Sequence, residues 1–141
     1  MTDSLSIGWT RAQADNAYKT HRRLLAVNLV LQSVAAVSVL ITPAWLLGIL
    51  GLTVTAEVEA WARVWAMMVL IVSAFQIPGW LNPVYNRLPH VIGVLARAAL
   101  AILFLILGGG FVWMALFDGG FAVALYVTYR RLVIAELQTR P

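Results

Sequence analysis

Residues 90–107 read HVIGVLARAALAILFLIL, and Arg97 is the one formally charged side chain among them. About 18 residues at 1.5 Å each come close to the hydrocarbon thickness that a membrane helix has to cross. An arginine inside such a run costs several kcal/mol unless it is paired or reaches the interface. The stretch predicts a spanning helix with a polar obligation inside it.

Working outward, three further apolar stretches have comparable character. Residues 24–41 close at Pro43, residues 60–77 stop at Pro78-Gly79, and the third stretch ends in Gly108-Gly109-Gly110. The fourth, residues 119–135, reaches span length by running through Tyr129-Arg130-Arg131, with residues 111–117 read as an interfacial turn or as an extension of the span. One long helix through the three glycines is disfavoured, because each costs about 1 kcal/mol relative to alanine in a helix interior. The expected fold class is an all-α integral membrane protein, a bundle of four transmembrane helices. Residues 1–23 form a basic lead-in, residues 24–137 the membrane domain and residues 138–141 a tail.

Composition agrees. Of 141 residues, 62% are hydrophobic and 11% charged, where soluble domains run near half and a quarter. With a mean hydropathy of +0.86, a disordered chain, a nucleic-acid module and an ordinary cytosolic enzyme are all excluded. The net charge of +4 therefore points to membrane headgroups, and no nucleic-acid partner is expected. The chain has no cysteine, which excludes disulfides, thiolate metal sites and thiol catalysis. The basic lead-in followed by residues 24–41 has the outline of a signal peptide. The run is too long for one, includes Asn28 and Gln32, and lacks a small-x-small cleavage site, so it reads as a retained helix.

Orientation follows from the basic residues. Arg11, Lys19, Arg22 and Arg23 precede the first span, Arg87 lies between the second and third, and Arg130, Arg131 and Arg140 follow the fourth. The other two loops carry Glu57, Glu59 and Asp118 but no lysine or arginine. Positive loops stay cytoplasmic, which puts both termini inside. Trp45, Trp61, Trp65 and Trp113 would then mark the outer interface, and Trp80, Tyr85, Tyr126 and Tyr129 the inner one. Residues 42–55 are too apolar for a solvated loop and are expected to lie in the outer interface.

The polar residues inside the spans are the functional candidates. Asn28 and Gln32 share a face of the first helix, and Arg97 follows Gly93 by one turn of the third. Asp118, Ala122, Tyr126 and Tyr129 fall on one side of the fourth. Arg97 lies about 10 Å, Gln32 about 12 Å and Asn28 about 6 Å from their expected span starts, and Tyr126 about 6 Å from the basic pair Arg130-Arg131. These four suggest an inner-leaflet pocket in which Arg97 binds a lipid phosphate or a quinone carbonyl. Arg63 and Asp118 lie near the outer surface and are expected to pair between helices two and four, with Glu59 competing for Arg63. Gln76 is expected to reach the headgroups alone. His21 and His90 read as interfacial, water-contacting histidines. Each sits at a helix end, which disfavours haem. No metal-ligand cluster, nucleophile–base set, phosphate loop or GxxxG span motif is present.

Four segments carry a family resemblance: Ala62-Arg63-Val64-Trp65, Leu81-Asn82-Pro83, Gly93-Val94-Leu95-Ala96-Arg97 and Phe117-Asp118-Gly119-Gly120. Over roughly residues 55–131 the chain resembles the DoxX-like small four-helix bacterial membrane proteins. The resemblance implies a multi-pass protein of the bacterial cytoplasmic membrane, and it makes Arg63, Arg97 and Asp118 family positions without assigning them roles. Members of that family often sit beside redox enzymes that handle quinones or sulfur compounds.

Three functions fit, in this order: a non-catalytic accessory or anchoring subunit of a larger membrane complex, a stand-alone lipid- or quinone-binding protein, and a small transporter or membrane enzyme relying on Asp118. No catalytic constellation is present. A quinone or a bound phospholipid is the cofactor these readings allow. Expected partners are membrane lipids together with a larger membrane protein or further copies of the chain. Because the chain lacks cysteine, a thiol introduced as Thr53→Cys or Tyr85→Cys is unique. Thr53→Cys should react with a membrane-impermeant maleimide in intact cells, and Tyr85→Cys only after permeabilisation; the reverse pattern would invert the topology.

Overall fold

The computed structural model describes residues 10–139, and over them the chain is five helices without a strand. Residues 1–9 of the lead-in and Arg140 lie outside the described residues. The helices are α1 (Arg11–Ile41), α2 (Pro43–Leu50), α3 (Ala56–Leu81), α4 (Arg87–Leu107) and α5 (Phe111–Thr139). All but α2 are long and apolar enough to cross a membrane.

Local chemistry explains the helix ends. Thr10 and Gln13 form a reciprocal capping box at the start of α1, so the part of the lead-in from Arg11 is helical and continuous with the first span. Pro43 opens α2 and Gly51, at φ 71°, closes it in the left-handed conformation. Thr55 caps α3, and Glu57 and Glu59 in its first turn complement the helix dipole.

Two boundaries differ from those read in the sequence. α3 continues past Pro78 to Leu81, because its last carbonyls find partners outside the helix. The Asn82 N–H and the Asn86 amide both donate to Pro78 O, and the His90 ring meets Gly79 O. At the other end of the bundle, the glycine break occupies only residues 108–110. Gly108 and Gly109 have φ of 67° and 55°, and α5 begins directly at Phe111, so residues 111–117 are helix rather than a turn. Asp118 thereby moves from a helix end to two turns inside one.

The four long helices form a ring in which α1 touches α3 and α5, and α4 touches α5 and, more loosely, α3. α2 folds against α1 and α3 at one end. Lipid cannot drive helices together by hydrophobicity, so close approach of small residues matters. The buried positions include Ala36, Ala66, Ala101, Ala115, Ala122 and Ala135. The large aliphatic side chains Val30, Ile71, Ile102 and Ile106 point outward, each at least 60% exposed, as lipid-facing residues do.

Gly110 is the tightest joint. A Cβ there would lie 2.3 Å from Ile49 O and 2.5 Å from Leu50 Cα, both backbone atoms that cannot yield without moving α2. Gly110→Ala should lower stability by about 1–3 kcal/mol, read as a drop in Tm in detergent. Gly120, with nothing within 4 Å, should tolerate alanine with unchanged or higher Tm.

Candidate functional site

A charged cluster occupies the middle of the bundle. Arg97 lies ten residues from either end of α4, about 15 Å along the axis. It belongs to the buried stripe His90, Gly93, Arg97, Ala101 and Phe104, whose spacing keeps one helix face inward. Its Nη1 donates to Asp118 Oδ1 at 2.8 Å, and its Nη2 donates to Asn28 Oδ1 at 2.6 Å and to Gln32 Oε1. The Arg97 side chain is 4% exposed and that of Asp118 13%. One arginine thus joins α4 to α5 and, across the ring, to α1.

The pairing differs from the expected Arg63–Asp118 bridge. Arg63 Nη2 reaches Glu59 at 3.2 Å, and its Nε donates to Leu40 O, one of the carbonyls left open at the end of α1. Arg63 is satisfied near the start of α3 by Glu59 and Leu40 O, while Asp118, two turns into α5, pairs with Arg97.

Tyr126 does not join the cluster; it is 54% exposed. Eight residues from Asp118 turn it about 80° away, whereas Leu125, seven residues away, lies within about 20° and is the buried one. Gln76 is a correction in the opposite direction. It lies about 140° from Arg63 around α3, and because Arg63 faces outward, Gln76 faces inward at 5% exposure. Its carboxamide rests on Gly93, where a Cβ would come within 3.3 Å of it. No hydrogen bond links the Gln76 side chain to any described residue.

Beside the cluster a cavity of about 350 Å³ occupies the loose α3–α4 seam. Arg97, Asp118, Gln32 and Gln76 line its polar end; Trp45, Trp65, Trp113, Leu100 and Phe104 are among its apolar walls. The cavity runs from the level of Gln76 and Gly93, six residues into α4, past Arg97 towards α2. Exposed wall residues such as Val72 and Leu100 leave it open sideways to lipid.

The histidines are also placed differently from expectation. His21 and His90 are 1% and 6% exposed, and their rings meet in the bundle interior with His21 Nε2 3.3 Å from His90 Nδ1. Tyr129 stacks on His90 at 4.9 Å. Their seven-residue spacings to Asn28 and Arg97 place them on the same faces of α1 and α4, a signal present in the sequence. Among the described residues no group of three or more His, Asp or Glu is placed to hold a metal ion.

No family model matches this chain, and neither a curated protein nor a solved structure is similar enough to it to count as a match.

Breaking a buried ion pair from one side costs about 3–5 kcal/mol, while an apolar replacement of both partners is often tolerated. Arg97→Leu and Asp118→Leu should each lower stability by that order, and the double variant by much less than the sum. Arg63→Ala and Asp118→Ala should add within about 0.5 kcal/mol. Coupling between residues 63 and 118, with none between 97 and 118, would contradict the assignment.

Proposed function

We propose that the chain is a membrane protein that binds a neutral, largely apolar ligand with a carbonyl or hydroxyl headgroup, quinone-like in chemistry, in the α3–α4 cavity. The observation that carries this reading is the unpartnered Gln76 carboxamide at the polar end of an otherwise apolar, laterally open cavity. A pocket of a few hundred Å³, mostly apolar with a few placed polar groups, is the usual form of a small-molecule site.

Charge separates a neutral headgroup from the phospholipid alternative. Arg97 is neutralised by Asp118 and its terminal nitrogens are engaged by Asn28 and Gln32. A phosphate at this depth would meet the Asp118 carboxylate, with only the buried Arg97 Nε left unpartnered on the guanidinium, and it would leave the interface where headgroups belong. A ligand carbonyl can accept from Gln76 Nε2, and a hydroxyl can donate to Asp118. Arg97, Asn28 and Gln32 in this reading build the floor of the site, and Gln76 recognises the ligand. An anchoring subunit, the first of the three readings of the sequence, has no comparable use for an unpartnered buried amide five residues from the end of α3.

Three tryptophans, Trp45, Trp65 and Trp113, line the cavity, so a quinone entering it should quench their fluorescence. A short-chain ubiquinone analogue should quench saturably in the purified protein. Gln76→Leu should weaken binding up to about tenfold, the equivalent of one hydrogen bond, and Ala96→Phe should abolish it by filling the cavity. Quenching that is unsaturable, or unchanged in both variants, would refute the proposal, as would displacement of the quinone by anionic phospholipid.

A further inference from the structure

We propose that His21 and His90 form a proton-binding site that takes up a single proton shared through one chain of hydrogen bonds with Thr128. The argument rests on what each atom in the chain can donate or accept. His90 Nε2 lies 3.0 Å from Gly79 O. A carbonyl only accepts, so this nitrogen carries hydrogen and caps the last turn of α3. In the neutral His90 ring, Nδ1 is then bare. His21 Nε2, 3.3 Å away, must supply the hydrogen between the rings. That leaves His21 Nδ1 bare in turn, 3.0 Å from Thr128 Oγ1, and the threonine hydroxyl donates to it. Every member of the neutral chain is satisfied.

The same atoms accept one more proton without moving. A proton added at His21 Nδ1 turns that nitrogen into a donor towards Thr128 Oγ1. The hydroxyl hydrogen then rotates to Ala124 O, which waits at 2.9 Å, with Leu125 O at 3.2 Å. No bond is lost, and the charge can pass from one ring to the other along the N–H···N contact. A second proton has no such place. It would have to sit on His90 Nδ1, facing the His21 Nε2–H across 3.3 Å, two donors against each other and two positive charges side by side. The capacity of the pair is one.

A route for the proton exists. The two rings are buried, but Thr128 also borders a second cavity of about 150 Å³, lined by Gln13, Asn16, Thr20 and Arg131 at the end where α1 begins. Polar walls suit water, and water there would reach the hydroxyl that closes the chain. Close packing at the opposite end fixes the geometry: a Cβ on Gly79 would sit 3.1 Å from His90 Nε2.

The ionisable groups around the pair are few. On α5, Tyr129 lies over both rings, at 4.9 Å from His90 and 5.5 Å from His21, and Arg131 lines the entry cavity. Arg87 of α4 and Glu136 of α5 pair with each other at 3.5 Å. On α1, Arg22 packs over the rings of Tyr18 and Trp80. α3 presents the Gly79 carbonyl to the pair. The hydrogen bonds of the two imidazoles run to each other, to Thr128 and to Gly79 O, so the proton's charge is held by the shared rings and the threonine hydroxyl.

The test uses the full chain in lipid nanodiscs, labelled with nitrogen-15 at histidine, of which it has two. Both rings should change together at one midpoint as pH falls, with uptake of one proton per chain. A second proton should enter only more than about one pH unit lower, as in other strongly coupled pairs. Thr128→Val should lower the midpoint by about one pH unit or more, a tenfold loss of proton affinity, since the bond lost from the charged state is the stronger one. Thr128→Ser should restore it. Two independent midpoints within one unit of each other would overturn the proposal, as would a Thr128→Val variant that titrates like the wild type. If that variant does not fold, the wild-type proton count and the number of midpoints decide alone.

Discussion

An arginine held at mid-span, with nowhere to reach water, sets the terms for the rest of this structure. Ten residues from each end of α4, Arg97 is too deep to snorkel, and an unpaired charge at such a depth is intolerable to the bilayer. Its terminal nitrogens are engaged by two helices at once, while its Nε stays buried without a partner. Asp118 supplies the opposite charge from α5, and Asn28 and Gln32 supply amide oxygens from α1. α1 and α4 face each other across the ring and share little backbone contact, so the long polar side chains bridge a gap that small residues close elsewhere. The arginine therefore fixes both the rotation of α4 and the register of α1 and α5 against it.

The cavity follows from the same constraint. With Arg97 pulled towards α1 and α5, α4 packs closely on α5 and only loosely on α3, and the space along the α3–α4 seam stays open. Gly93 lets the Gln76 carboxamide lie flat at the polar end of that space. One turn further along the same face of α4, His90 meets His21. The polar residues thus form successive layers along the bundle interior, with the charge pair at mid-span and the histidines near the end where α1 begins. Ligand recognition at Gln76 and proton binding at the histidines rest on separate observations, and each can fail without the other.

Much of the architecture was legible in the sequence because bilayer thickness is a strict ruler. Apolar runs bounded by Pro43, Pro78 and the three glycines left little choice about four long helices. Partners were harder, because they depend on where a helix begins and which way it faces. Placing the start of the fourth span at residue 119 put Asp118 at the surface beside Arg63. The helix begins at Phe111, and the extra two turns carry Asp118 down to Arg97. Gln76 was read at the correct angle from Arg63, but the inward direction needed the knowledge that Arg63 caps the end of α1 at Leu40 O. The histidines lay at expected helix ends, which masked their burial, although their seven-residue spacings to Asn28 and Arg97 put them on the inward faces where the rings meet. Tyr126 was included by adding four-residue steps, which drift round a helix, where the seven-residue step to Leu125 does not.

The most direct test of the central claim is native mass spectrometry of the protein released gently from its own membrane. The account predicts one neutral apolar molecule bound per chain, retained by the wild type and absent from Ala96→Phe. A chain that emerges bare, or one that carries an anionic phospholipid equally well with and without the Ala96→Phe substitution, would contradict it.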